Sequence, residues 1–382
     1  MITRRAWFGT VAAAAWANGG ADLWDPSLPV PKAAGLETVA GARFFVLKPH
    51  EPARDGGYGF LHGVALCWHK GKLYTSFGHN RGKENTTGEE ARGRISTDGG
   101  RTAGDVFTID AGDEPDLAVS HGSFLSHRGR LWAFQGAFHG SRTRVHTRAY
   151  VLDEKTGHWR KMGTVVRDGF WPMQQPVRMG DGNWIMAGFR VGEGEPASVA
   201  ISRGSDFTRW DHVAIPRDPG IGKMWGESTV IVEGRRVWNI ARYGGEPVAL
   251  VSSSEDAGRT WTAMRPSNLP MAGSKPYAGV LSSGQRYLIC TTAADTGNRR
   301  APLTIAVSRP GERLFRRVFR IRGGEFPEGP GDSHPRASLS YPYAVEYRGN
   351  LYTGYSNNGG RVGMNINSAE LAVLPVTSLK VE

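Results

Sequence analysis

Cysteine is nearly absent: the 382 residues contain only Cys67 and Cys290. They sit far apart in apolar, strand-like runs, which reads as two buried free thiols, and no zinc-type spacing accompanies them. No apolar run of about 18 residues follows the N-terminus, so no membrane span is expected. Runs of Lys and Arg are also missing, although the formal net charge is +11. Without a basic stripe the usual footprint of a nucleic-acid binder is lacking, and no nucleic-acid partner is expected. The charge then reads as a solvated surface or as a field that attracts acidic substrates. What is abundant is glycine, with 52 residues, beside 22 prolines and 12 tryptophans. That composition implies many tight turns around aromatic packing. It argues against a helical bundle, a coiled coil or a disordered chain. A chain of this length is either two domains or one large architecture such as a barrel or propeller.

The first twenty residues read as a leader. Arg4-Arg5 precedes a short apolar run ending in Ala15-Trp16-Ala17, a small-x-small cleavage pattern. Paired arginines point to the twin-arginine export route. A signal peptide over 1–20 and a periplasmic or extracellular destination are expected.

One pattern then recurs six times: a polar residue, a short strand, a Gly turn and a second apolar strand. The copies open at His62, His121, Gln174, Glu227, Tyr277 and Tyr341. Their spacing is roughly 50 to 65 residues, a period that marks propellers and solenoids. Each copy is a hairpin signal followed by two weaker strands. Four strands per repeat and six repeats predict an all-β, six-bladed β-propeller over 42–376. The last blade lacks a strand after Val373, and the run Ala42–Leu47 can supply it and close the ring. Closure removes exposed edges, and a monomer is expected.

A second motif, Ser-x-Asp-x-Gly-x-Thr-Trp, occurs complete from Ser254 to Trp261 and without its Trp from Ser96 to Thr102. Degenerate copies start at Ser202 and Ser308. Asp and Ser can bond their own turn backbone, and Gly supplies a positive φ. Propeller geometry places these turns on one face. The starts of first strands and the ends of second strands lie on the other. That second face collects the six opening residues with His79, Arg81, His139, Arg190, Arg242, Arg299 and Arg300, a titratable set around one central cleft.

The Ser-x-Asp-x-Gly-x-Thr-Trp turns resemble the Asp boxes of the sialidase-like superfamily. The likeness extends to Trp225–Arg242, to Arg300–Ser308 and to Ser340–Gly349. It implies Arg242 and Arg300 as carboxylate binders, Tyr341 as nucleophile and Glu227 as its partner, with Tyr343 a substitute for Tyr341. Arg190, Gln174 and Tyr277 join the expected substrate-binding set. The first half departs from the family. Leu61-His62-Gly63 stands where sialidases carry Arg-Ile-Pro, and the second blade opens with His121-Gly122. The loop that holds the acid/base Asp reads Gly78–Asn85, with Glu84 as its nearest carboxylate and Arg81 matching an accessory arginine.

Three chemistries are compatible with these residues. A glycoside hydrolase would use Tyr341 and Glu227 on an acidic sugar, sialic or uronic, with His62, His79 or Glu84 as acid. A polysaccharide lyase would neutralise a uronate with the arginines and use a histidine such as His62 or His121 as base. A noncatalytic propeller would bind an acidic oligosaccharide or polysaccharide. No cofactor and no catalytic metal are expected, since no repeated carboxylate cluster is present.

Overall fold

The computed structural model describes residues 21–50, 58–222, 224–363 and 365–381. The expected leader, residues 1–20, lies outside the described residues.

Six four-stranded antiparallel sheets follow one another around an axis. Blade one comprises Phe60–His69, Lys72–Asn80, Glu90–Ser96 and Phe107–Asp110. Blade two comprises Leu117–His127, Arg130–His139, Thr143–Leu152 and Trp159–Val166. In blade three the inner strand is split into Phe170–Pro172 and Val177–Arg178, followed by Trp184–Arg190, Ala197–Arg203 and Asp206–Ala214. Blade four runs from Met224–Glu233 to Arg265–Pro270, and blade five from Tyr277–Val280 to Phe315–Arg322. Blade six holds Leu339–Tyr347, Asn350–Asn357 and Ser368–Pro375. Its fourth strand is Arg43–Lys48, paired Arg43 to Val373 and Phe45 to Leu371, so the N-terminal strand closes the ring as the repeat count requires. This is the expected all-β, six-bladed fold.

The strands form because alternation and glycine turns agree. Phe77, Phe124, Phe134 and Tyr355 are fully buried between blades, where aromatic area supplies most of the packing energy. The Asp boxes do the turn chemistry expected of them. Asp256 accepts from the backbone N–H groups of Arg259 and Thr260 and from the Thr260 hydroxyl. Ser254 accepts from the N–H of Gly258, and Asp98 and Ser96 repeat the arrangement in blade one. Residues 21–39, upstream of the ring, lie along the outer strand of blade five through bridges from Trp24 to Phe315 and from Thr38 to Arg320. This segment covers a sheet edge that would otherwise be open.

Four inner strands lose register where they reach one face. The shifts fall between His62 and Ala65, between Val119 and Gly122, between Met224 and Ser228, and between Ser340 and Tyr343. A β-bulge bends its strand and re-aims a side chain. The four irregular stretches contain or adjoin His62, His121, Glu227 and Tyr341.

Candidate functional site

The bulged ends surround a cleft of about 770 Å³ at one mouth of the axis. Its lining includes His62, Glu84, His121, Glu227, Arg242, Arg300 and Tyr341. These seven come from five of the six blades, all but blade three.

At the centre, the Tyr341 hydroxyl donates to Glu227 Oε1, and Arg242 Nη1 donates to Glu227 Oε2 at 2.7 Å. All three side chains are buried or nearly so. Burial first, and the Glu227 carboxylate second, push the Tyr341 phenol well above its ordinary range. Burial opposes the charge on Arg242, but Glu227 and Tyr341 outweigh it and hold the guanidinium protonated. The Arg242 guanidinium also lies over the Trp225 ring at 5.2 Å.

Arg300 converges on the same place. Its Nη2 donates to the Gly273 carbonyl at 2.8 Å. A Cβ at Gly273 would meet Asn298 Oδ1 at 3.2 Å and lie 3.9 Å from Arg242 Nε, so this glycine sits between Arg300 and Arg242. Tyr341 itself has φ 53°, a left-handed conformation that a bulky residue rarely adopts and that marks strain at functional sites.

The two histidines line the opposite side. The His62 ring sits 3.9 Å from the Tyr341 ring, centroid to centroid. Gly63, at φ 71°, leaves room for the other histidine, because a Cβ there would meet His121 Cγ at 2.3 Å. His62 Nδ1 lies 3.1 Å from Ser356 Oγ and 3.2 Å from Asn367 Nδ2. Asn367 Nδ2 also donates to the Leu61 carbonyl, which fixes its amide orientation. His62 Nδ1 is therefore the acceptor, and its Nε2, buried without a partner among the described residues, carries the hydrogen. Burial holds His62 well below its ordinary pKa, helped by His121, Arg300, Lys275 and Arg242. Burial, with Lys275 and Arg142, pushes His121 down to about 3. Both rings are neutral at neutral pH.

Glu84 enters from the loop after the second strand of blade one. Asn365 Nδ2 donates to its Oε2 at 2.8 Å. Burial raises its pKa, against the pull of that bond.

The remaining expected residues lie elsewhere. His79 is buried with its ring 4.8 Å from that of Tyr58, and Arg81 is exposed in the following loop. Neither lines the cleft, and neither does Arg190 at the end of its strand. His139 stacks on His146 at 5.9 Å. Gln174 spends its amide on Val230 and Ala278, stitching blades three, four and five near the axis. Tyr277 packs on Tyr343 at 4.6 Å, deep in the same axis, which also removes Tyr343 from the cleft. Proline explains the offset of Gln174 and Tyr277. Pro172, Pro176 and Pro276 cannot donate to a ladder, so the inner strands of blades three and five break or start late. Trp171 and Met173 occupy the cleft level in blade three instead. Sequence reasoning also passed over Arg142, Trp225 and Lys275. Only Trp225, two residues before Glu227, had a local signal. Among the described residues, no group of three or more His, Cys, Asp or Glu is placed to hold a metal ion.

Residues 121–354 match the family described as BNR repeat-like domain. No curated protein matches the chain in sequence. Among solved structures, a protein of unknown function from Dyadobacter fermentans superposes with TM-score 0.63 at 13% identity, over 88% of this chain and 99% of that one. The NanB sialidase from Streptococcus pneumoniae gives TM-score 0.62 at 8% identity, over 93% of this chain and 72% of that one. The Trypanosoma rangeli sialidase gives 0.62 at 13% identity, over 89% and 60%. At these identities the likeness is one of fold.

Proposed function

The chain belongs to the BNR repeat-like family, and from that premise we propose that it is a sialidase-like glycoside hydrolase, exported from the cytoplasm, acting on an acidic sugar. The observation that carries this reading is the hydrogen-bonded chain Tyr341–Glu227–Arg242 at the floor of an arginine-lined cleft.

Arg242 and Arg300 offer N–H groups to one space, the arrangement that suits a carboxylate. With the sugar held there, the Tyr341 oxygen attacks the anomeric carbon and its proton passes to Glu227. The glycosidic C–O bond breaks, and the leaving oxygen takes a proton from Glu84, whose pKa burial raises above that of an ordinary carboxyl. Water then opens the glycosyl–tyrosine bond. Glu84 accepts the proton of that water, and Glu227 returns its own to Tyr341. A neutral nucleophile suits an anionic sugar, which a carboxylate would repel. Tyrosine is the known exception to the two-carboxylate rule.

The lyase reading requires a strong base. His62 has its one lone pair engaged at Nδ1, and His121, at about 3, is too weak a base for a C–H proton. Neither histidine suits that role.

The test is to incubate the purified protein with methylumbelliferyl glycosides and natural oligosaccharides of sialic, glucuronic and galacturonic acids. New reducing ends support hydrolysis. An unsaturated, ultraviolet-absorbing product would establish a lyase instead. Tight binding without either product would leave a carbohydrate-binding propeller.

A further inference from the structure

Lys275 is a buried amine on the propeller axis, 2% exposed, with no carboxylate in hydrogen-bond contact among the described residues. Burying an ammonium costs several kcal/mol unless strong partners offset it. Its partners are two backbone carbonyls on different blades. Nζ donates to Pro342 O at 2.6 Å and to Met173 O at 3.2 Å. The rings of Tyr277 and Tyr343 lie 5.3 and 5.8 Å from it.

The Pro342 carbonyl belongs to the residue directly after Tyr341. The residue before Lys275 holds the other side: Ser274 Oγ accepts from the Tyr341 N–H at 3.5 Å. Two consecutive residues of the connection into blade five thus grip the backbone of blade six on both sides of Tyr341, with its φ of 53°. A left-handed tyrosine relaxes unless its surroundings over-determine it. Met173, the second carbonyl partner, lines the cleft from blade three.

We propose that Lys275 is a positioning residue that locks Tyr341 in its left-handed conformation and, while protonated, sets a positive charge beneath the Tyr341–Glu227 pair. The assignment rests on the hydrolase reading for its catalytic consequence, but not for its structural one. The ionisable and aromatic groups facing this amine are Glu227, His62, His121, Cys290, Tyr277 and Tyr343, with Arg242 and Arg300 beyond them. Burial lowers the amine to about 7, against the attraction of Glu227. The charge therefore fades above neutrality, so turnover should decline on the alkaline side through a group other than Glu84.

The experiment compares wild type with Lys275→Met, and with Lys275→Gln should the methionine variant not fold. Crystal structures read Tyr341 φ directly. The expected result is a Tyr341 backbone that returns to negative φ and a phenol that leaves Glu227. On a methylumbelliferyl glycoside that wild type cleaves, kcat falls by at least about 10²-fold, the loss that a misplacement of only about 1 Å already brings. KM changes little, because Arg242 and Arg300 remain. The alkaline limb near the amine's titration disappears from the residual activity. A merely structural lysine would lower the melting temperature and leave kcat per folded molecule and the pH profile unchanged. Tyr341 unmoved at φ near 53°, with wild-type kcat, overturns the proposal. If wild type cleaves no acidic glycoside, the hydrolase reading falls, and the Tyr341 backbone in the two crystal structures still decides whether Lys275 holds it.

Discussion

Removing Arg242 tests the centre of the cleft most directly. The guanidinium and the Glu227 carboxylate are 2.7 Å apart, with side chains 15% and 6% exposed. At an effective dielectric constant of about 20, that separation corresponds to a gross attraction of about 6 kcal/mol. Desolvation of both ions cancels much of it, so the pair adds little net stability over an apolar pair. Truncating one partner is a different matter. Arg242→Ala leaves Glu227 buried with only the Tyr341 hydroxyl, and a loss of about 3–5 kcal/mol in unfolding free energy is expected.

The double variant separates this from a trivial loss of packing. Glu227→Gln removes the charge while keeping the shape and the acceptor for Tyr341. In the Arg242→Ala background it should restore part of the lost stability, giving a coupling energy of about 1.5 kcal/mol or more. Urea unfolding of the four proteins measures the cycle, with constant m-values required for the comparison. Additive effects would refute the claim that these two charges compensate each other. A carboxyl-reduced substrate provides the catalytic counterpart. Wild type should discriminate against it, and Arg242→Ala should lose most of that discrimination.

Four further outcomes follow from the same geometry. Tyr341→Phe should leave the affinity for acidic glycosides nearly unchanged while lowering kcat by roughly 10³-fold or more, read by calorimetry and steady-state kinetics. Glu84→Gln should lower kcat/KM for substrates with sugar leaving groups by about 10²–10⁴-fold and barely change kcat/KM for methylumbelliferyl glycosides, whose leaving oxygen needs no acid, while kcat falls for both because the water step loses its base. Glu89, behind the same loop, is raised to about 7 by burial, against bonds from Ser120 and Asn85. Its folded form keeps a proton that the unfolded chain releases near 4.5, so stability should fall as pH rises from about 4.5 to 7. Glu89→Gln should flatten that slope and gain about 3 kcal/mol above pH 7, as chemical unfolding across pH would show. Asp256→Ala removes four hydrogen bonds of an Asp box on the far face. It should cost about 1–2 kcal/mol of stability with kcat unchanged.

The ring was legible because it repeats. Hairpins such as Phe60–His69 with Lys72–Asn80 carry their own alternation and their own glycine turn. Six copies leave little choice of architecture, and the missing twenty-fourth strand had one candidate, Arg43–Lys48. The Asp boxes were legible for the same reason, since each completes its hydrogen bonds within a few residues. The cleft is built from departures from that repetition. His62, Glu227 and Tyr341 reach the floor through bulges, and a bulge is a property of a pair of strands, visible only once both are aligned. Gln174 and Tyr277 stand at the same place in the repeat as Glu227, yet prolines beside them shift their strands. Lys275 has no signal at all in Gly-Ser-Lys-Pro. It matters because the axis brings it against the carbonyls of Pro342 and Met173, which belong to blades six and three. Residues that keep the repeat close the ring, and residues that break it converge on the mouth. In a propeller of this kind, the register shifts of the inner strands are therefore a better guide to a functional cleft than residue type alone.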